Sequence, residues 1–166
     1  MGQTIAYIGI GSNLGDRFYN CTRAIDLMDK APGCKMGGCS EWFWTEPVGV
    51  TGQDWYLNGV ACLETGLSAM ELLEILLSIE RDMGRVRAKR WEARTIDLDL
   101  LIFGREIIRN DSLVVPHPRL HARRFALVPL VQIAPDLIHP GLGVTMRELL
   151  EEIPAGEQEV RPMKEQ

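Results

Sequence analysis

The chain has 166 residues, 46% of them hydrophobic and 25% charged, with a formal net charge of −5. That length suits one ordinary domain, the composition excludes a largely disordered chain, and no apolar run reaches the roughly 18 residues of a membrane-spanning helix. The acidic balance speaks against a nucleic-acid binder. The N-terminus has neither the basic start nor the apolar stretch of a secretory signal, so a cytoplasmic protein is expected.

Thr4 to Ile10 is apolar and partly alternating, which predicts a strand. Leu14, Phe18, Cys21, Ile25 and Met28 recur at helical spacing and predict an amphipathic helix that ends near Pro32. Between them lies Gly9-Ile10-Gly11-Ser12-Asn13-Leu14-Gly15. Leu14 stands where a dinucleotide fingerprint needs its third glycine, so these glycines read as the tight turn into the helix. Gly33 to Gly38 reads as a loop and Cys39 to Trp44 as a second strand. Thr45 to Asp54, with Pro47, Gly49 and Gly52, reads as a long loop, and Trp55 to Glu64 as a third strand.

Ser68-Ala69-Met70-Glu71 is a capping box opening a helix, whose buried stripe is Leu72, Ile75, Leu76, Ile79 and Met83. Glu80 flanks that stripe and Gly84 stops the helix. Arg85 to Ala93 is a basic loop, and Thr95 to Phe103 is the strongest strand. Short β-prone pieces follow at Glu106 to Ile108 and Leu113 to Val115, then helices at Arg123 to Ile133 and Met146 to Ile153. Residues 1–153 are read as one catalytic domain and 154–166 as a loose polar tail. The order β-α-β-β-α-β predicts an α+β, ferredoxin-like fold: an antiparallel sheet with helices packed on it. Cys21, Cys34, Cys39 and Cys62 form no C-x-x-C pair, which argues for reduced thiols rather than zinc, with Cys21 and Cys62 in the core.

Asp97 and Asp99 are two residues apart in the strongest strand, so they share a face, about 6.6 Å apart at Cα. Ile96, Leu98, Leu100 and Ile102 fall on the other face. Alone, such a pair reads equally as a solvent-facing edge or as a partner for arginines. The neighbours tip the balance towards metal. Of the 18 basic residues, 11 lie between Arg81 and Arg124, and ten of those are Arg. Arg85, Arg87, Lys89, Arg90 and Arg94 directly precede the pair. Forked guanidinium groups beside metal-binding carboxylates are what a polyphosphate requires. Pro116-His117-Pro118, with Arg123 beyond it, offers further phosphate contacts. Tyr56 and Asn58 share a strand face suited to a flat heterocycle, and Trp91 either covers a ligand or anchors its loop.

These residues resemble the 6-hydroxymethyl-7,8-dihydropterin pyrophosphokinase family of folate biosynthesis. The matching stretches run from Ala6 to Asp16, through Thr45-Glu46-Pro47-Val48-Gly49, Tyr56-Leu57-Asn58, Ile79-Glu80 and Gly84-Arg85-Val86-Arg87. They continue with Arg90-Trp91, Arg94-Thr95-Ile96-Asp97-Leu98-Asp99, Val115-Pro116-His117-Pro118-Arg119 and Arg123-Arg124-Phe125. The resemblance implies transfer of the diphosphoryl group of ATP to the pterin hydroxymethyl oxygen, with release of AMP. It implies two Mg²⁺ ions on Asp97 and Asp99, with Arg85 and Arg94 also catalytic. It implies ATP binding by Glu80, Arg85, Arg87, Trp91, Arg94, His117 and Arg123. The pterin would be held by Thr45, Val48, Tyr56, Asn58, Trp91 and Phe125, Tyr56 and Phe125 stacking on its two faces. A monomer is also implied. One departure stands out: the chain has Trp91-Glu92-Ala93-Arg94 where the family reads W-G-P-R. Two other readings of the same residues are another Mg-ATP-dependent phosphoryl or nucleotidyl transferase, and a ferredoxin-like domain that binds a nucleotide without turning it over.

Overall fold

The computed structural model describes residues 2–47, 54–84, 95–154 and 156–164. The elements run β1 (Thr4–Ser12), α1 (Arg17–Lys30), β2 (Cys34–Cys39), β3 (Phe43–Thr45), β4 (Tyr56–Thr65), α2 (Ala69–Asp82) and β5 (Asp97–Phe103). After these come β6 (Ile108–Arg109), β7 (Val114–Val115), a 3-10 turn at Leu120–Ala122, α3 (Arg124–Ile133), α4 (Met146–Glu151) and β8 (Val160–Pro162). The main sheet has the order β5-β1-β4-β3-β8, with β2 also paired to β4, and every pairing is antiparallel. This is the ferredoxin-like arrangement expected from the element order.

Alternation along the strands builds a core on each face of the sheet. Ala6, Ile8, Ile10, Leu57, Ala61, Leu63, Leu98 and Leu100 are buried with α1 and α2. Val60, Leu101, Ile102 and Leu120 are buried with α3 and α4. Ile102, expected on the face of Leu98, sits on the opposite one. The register between β1 and β5 shifts at Tyr7/Ile8, so Leu101 is an extra residue and the alternation is offset beyond it. Truncating any of the leucines or isoleucines among these to Ala costs about 2–5 kcal/mol.

Several boundaries differ from the sequence reading. The stretch Cys34–Cys39 is a strand rather than a loop, held by pairing to β4 that overrides its glycines. A break then separates β2 from β3. Ser40 Oγ accepts the Val60 N–H at 2.9 Å, and Gly59 leaves room for the Trp42 ring, whose atoms lie 2.6 Å from where a Cβ would stand. Helix α1 starts only at Arg17, capped by Asp16, and its buried residues are Cys21, Ala24 and Met28; Leu14 and Phe18 are about half exposed. The Ser68 capping box on α2 forms as expected, and Thr145 makes a second one on α4, each contributing about 1 kcal/mol. The C-terminal stretch expected to be loose carries β8, which pairs with β3. All four thiols are free, and Cys62 is only half-buried. Burial pushes the Cys21 thiol up to about 12, which leaves it unreactive.

His139 closes the loop between α3 and α4. It is 6% exposed, and its Nδ1 accepts the Gly141 and Leu142 N–H groups at 3.1 and 3.0 Å. Burial holds its pKa below the usual 6.5, assisted by His121 and opposed by a backbone hydrogen bond. The unfolded chain therefore binds this proton more readily than the folded one. Stability is fully present above about pH 6.5 and falls as the pH drops from there through the folded pKa. The thermal midpoint is expected to be lower at pH 5 than at pH 7.5. His139→Asn, which retains an acceptor near the Nδ1 position without titrating, should narrow that difference; an unchanged difference would count against the assignment.

Candidate active site

On the α3 face, α3 and α4 pack over Val60, Leu101 and Ile102, towards one end of the sheet. The other end carries the residues singled out in the sequence. Asp97 is paired with Gly11 and Asp99 with Gly9, and Gly11 is paired on its other side with Asn58. The strand thus presents both carboxylates on one face, as their spacing requires. Gly9 fell within the expected strand, but Gly11 was read as breaking it, and both lie inside β1; the turn is made by Gly15, also among the glycines read as a turn, at φ 69°. Inside the strand they remove side chains that would fill the site. A Cβ at Gly11 would strike Asn58 Oδ1 and approach Tyr56 Cδ1 to 3.4 Å, so Tyr56 and Asn58 indeed share this face.

The outer edge of β5 is closed by two other predicted residues. Glu80, 4% exposed on α2, accepts the Leu98 N–H at 2.8 Å through Oε2. The His117 N–H donates to Leu101 O at 2.9 Å, just after the cis Val115–Pro116 peptide. These bonds satisfy an edge strand and fix the segment that carries the aspartates. Glu80, Asp97, Asp99 and His117 line one groove of about 280 Å³.

The electrostatics of the groove are mixed. Arg123 Nη1 lies 3.8 Å from Asp99 Oδ2, and its guanidinium stacks 5.4 Å from the centre of the Phe125 ring. Burial pulls the Arg123 pKa down and Asp99 opposes it. His117 Nδ1 accepts the Arg119 N–H at 3.1 Å, so the neutral ring carries its proton on Nε2 as a donor. Burial lowers the His117 pKa, Asp99 raises it, and Arg123 and Arg119 lower it further. A neutral donor and a fixed cation therefore stand beside the two carboxylates.

Thr45 and Asn58 form a second cluster next to the first. Both are buried, and Asn58 Nδ2 donates to Thr45 Oγ1 at 2.5 Å. The Thr45 hydroxyl keeps its own hydrogen, and the Asn58 amide keeps Oδ1 and a second N–H. Phe125, half-buried on the first turn of α3, belongs to the same side of the sheet. The structure thus brings together Thr45, Tyr56, Asn58, Glu80, Asp97, Asp99, His117, Arg123 and Phe125. Val48, Arg85, Arg87, Trp91 and Arg94 lie outside the described residues. Sequence reasoning missed Gly9 and Gly11 as part of the site, although glycines at alternate strand positions were a readable signal.

A family model described as 7,8-dihydro-6-hydroxymethylpterin-pyrophosphokinase matches residues 7–135. The chain belongs to this pyrophosphokinase family. A 2-amino-4-hydroxy-6-hydroxymethyldihydropteridine pyrophosphokinase of Methylorubrum extorquens is 41% identical over 159 residues, covering 95% of this chain and 99% of that one. A Bacillus subtilis protein of the same name is 43% identical over 131 residues, covering 79% and 78%. A crystal structure of Plasmodium falciparum HPPK-DHPS superposes with a TM-score of 0.73 at 14% identity. It shares the fold over 90% of this chain, which spans 43% of that longer one. Family membership makes the chain an ATP-dependent pyrophosphokinase of folate biosynthesis, acting on hydroxymethyldihydropterin. Among the described residues no helix is long and apolar enough to cross a membrane.

Proposed function

We propose that this pyrophosphokinase carries out its transfer at the end of the sheet that carries Asp97 and Asp99, with the two aspartates holding two Mg²⁺ ions. The observation that carries the reading is the pair of carboxylates set against Gly9 and Gly11, with Arg123 and His117 beside them. The donor set fits magnesium. It offers two hard oxygen ligands on one face of β5. Phosphate oxygens of ATP would complete the coordination, which is how Mg²⁺ is usually held in such sites. When bound, the ions neutralise phosphate charge around the reacting phosphorus.

The other groups have complementary tasks. Arg123 stabilises charge that builds on the transferring group, and His117 donates from Nε2 to a phosphate oxygen. Arg85, Arg87, Trp91 and Arg94 bind ATP, Arg85 and Arg94 acting on the transition state and Trp91 also closing over the pterin. Tyr56 and Phe125 stack on the pterin faces. Thr45, Asn58 and the Val48 segment read its amide-like edge, which needs donors and acceptors together. The hydroxymethyl oxygen attacks the β-phosphorus, the bond to the α,β-bridging oxygen breaks, AMP leaves with that oxygen, and the hydroxyl proton passes to solvent. Holding that oxygen in line supplies much of the rate, because positioning removes the entropy of encounter.

The test supplies the purified chain with MgATP and 6-hydroxymethyl-7,8-dihydropterin and separates the nucleotide products. AMP and a diphosphorylated pterin are expected in equal amounts. ADP as the nucleotide product, or no pterin-dependent turnover, would overturn the reading.

A further inference from the structure

We infer that Gln158 is a positioning residue for the acceptor pocket, clamping its two sides through a single side-chain amide. This rests on the proposal that Thr45 and Phe125 hold the pterin.

Gln158 lies in the polar C-terminal stretch yet is only 6% exposed. Its Oε1 accepts the Phe125 N–H at 3.1 Å, and its Nε2 donates to Glu46 O at 2.7 Å. The first bond replaces a missing cap: Arg123 at the N-cap of α3 makes no side-chain capping hydrogen bond. The second holds the residue after Thr45. Flanking backbone bonds reinforce it. The Glu46 N–H donates to Glu159 O at 3.1 Å, the Glu159 N–H donates to Glu46 Oε1 at 3.3 Å, and Thr45 is paired with Val160. Thr45 and Phe125 come from segments far apart in the chain. Among the described residues, this amide hydrogen-bonds the residue after β3 and the first turn of α3 together.

The phosphate side depends less on the same amide: Arg123 stacks on the Phe125 ring at 5.4 Å but has two holds of its own. Arg123 is tied separately, by its N–H to Leu120 O at 3.2 Å and by its ion pair with Asp99. Loss of the clamp therefore loosens pterin recognition and leaves MgATP binding largely as it was.

The experiment compares the wild-type chain with Gln158→Met and Gln158→Glu. Met keeps the volume without either hydrogen bond. Glu keeps an acceptor for the Phe125 N–H but has no donor for Glu46 O. Losing both bonds should raise the KM for pterin about tenfold, and Glu, which sets a carboxylate oxygen against Glu46 O, at least as much. The KM for MgATP should stay within about twofold in both. Pterin affinity is measured separately by fluorescence titration, and folding by thermal unfolding. Equal changes in both KM values, or an unchanged pterin KM in a folded variant, overturn the inference. If the Met variant fails to fold, the Glu variant decides by the same criterion. A wild-type chain with no pterin-dependent AMP formation would instead remove the parent proposal, so the two failures are distinguishable.

Discussion

Exchanging either Asp97 or Asp99 for Asn is expected to lower turnover by about a thousandfold or more while leaving the protein folded. The amide has the same size as the carboxylate, so the strand and its pairing with Gly9 and Gly11 are undisturbed. What disappears is a formal negative charge and a hard oxygen ligand at the place where the phosphate chain and its cations must sit. Loss of one preorganised electrostatic group commonly costs a hundredfold to a thousandfold, and a metal ligand acts on more than one phosphate oxygen at once. The stability cost is small because the Asp99 side chain is 44% exposed and its 3.8 Å ion pair with Arg123 is partly solvated. Such pairs contribute about 1 kcal/mol or less. Steady-state AMP formation together with a thermal melt checks this. A folded variant with full activity would exclude the metal-binding role for that aspartate.

Gly11→Ala should be the most damaging single methyl group in the site. The added Cβ would collide with Asn58 Oδ1 and come within 3.4 Å of Tyr56 Cδ1. Asn58 cannot easily yield, because its Nδ2 is bonded to Thr45 Oγ1 and the residue is 8% exposed. Relief comes by breaking that bond or displacing the amide, and either spoils the edge that would read the pterin. Interactions worth about 1.5–3 kcal/mol are at stake, which corresponds to roughly a tenfold to hundredfold rise in pterin KM. The same methyl in a strand with room would be harmless or mildly stabilising. Steady-state kinetics with each substrate varied in turn measures it; a pterin KM within twofold of wild type would mean the Asn58 amide is not part of the recognition edge.

The candidate site was readable to different depths. Asp97 and Asp99 were legible because alternation in a strand is strictly periodic, and the apolar residues between them identified the strand. Tyr56 and Asn58 were legible for the same reason. The capping box at Ser68 was a local signal, and the structure forms it as read. The assembly of Thr45, His117, Arg123 and Phe125 around the aspartates was expected through family resemblance rather than from periodicity. Gly11 was misread as a strand break because a glycine signals either a turn or a close approach, and only the strand partners distinguish the two.

The sequence by itself determined the element order, the antiparallel ferredoxin-like plan and the shared face of Asp97 and Asp99. Each follows from short-range rules of period, capping and chain breaking. The tertiary structure alone decided the rest. It made a strand of Cys34–Cys39 because β4 offered a hydrogen-bonding edge, and it turned Ile102 to the other face through a bulge opposite Tyr7 and Ile8. It also drew the C-terminal stretch in as β8 and buried Gln158 between Glu46 and Phe125. Those outcomes depend on partners distant along the chain, whose bonds exist only once the sheet has closed.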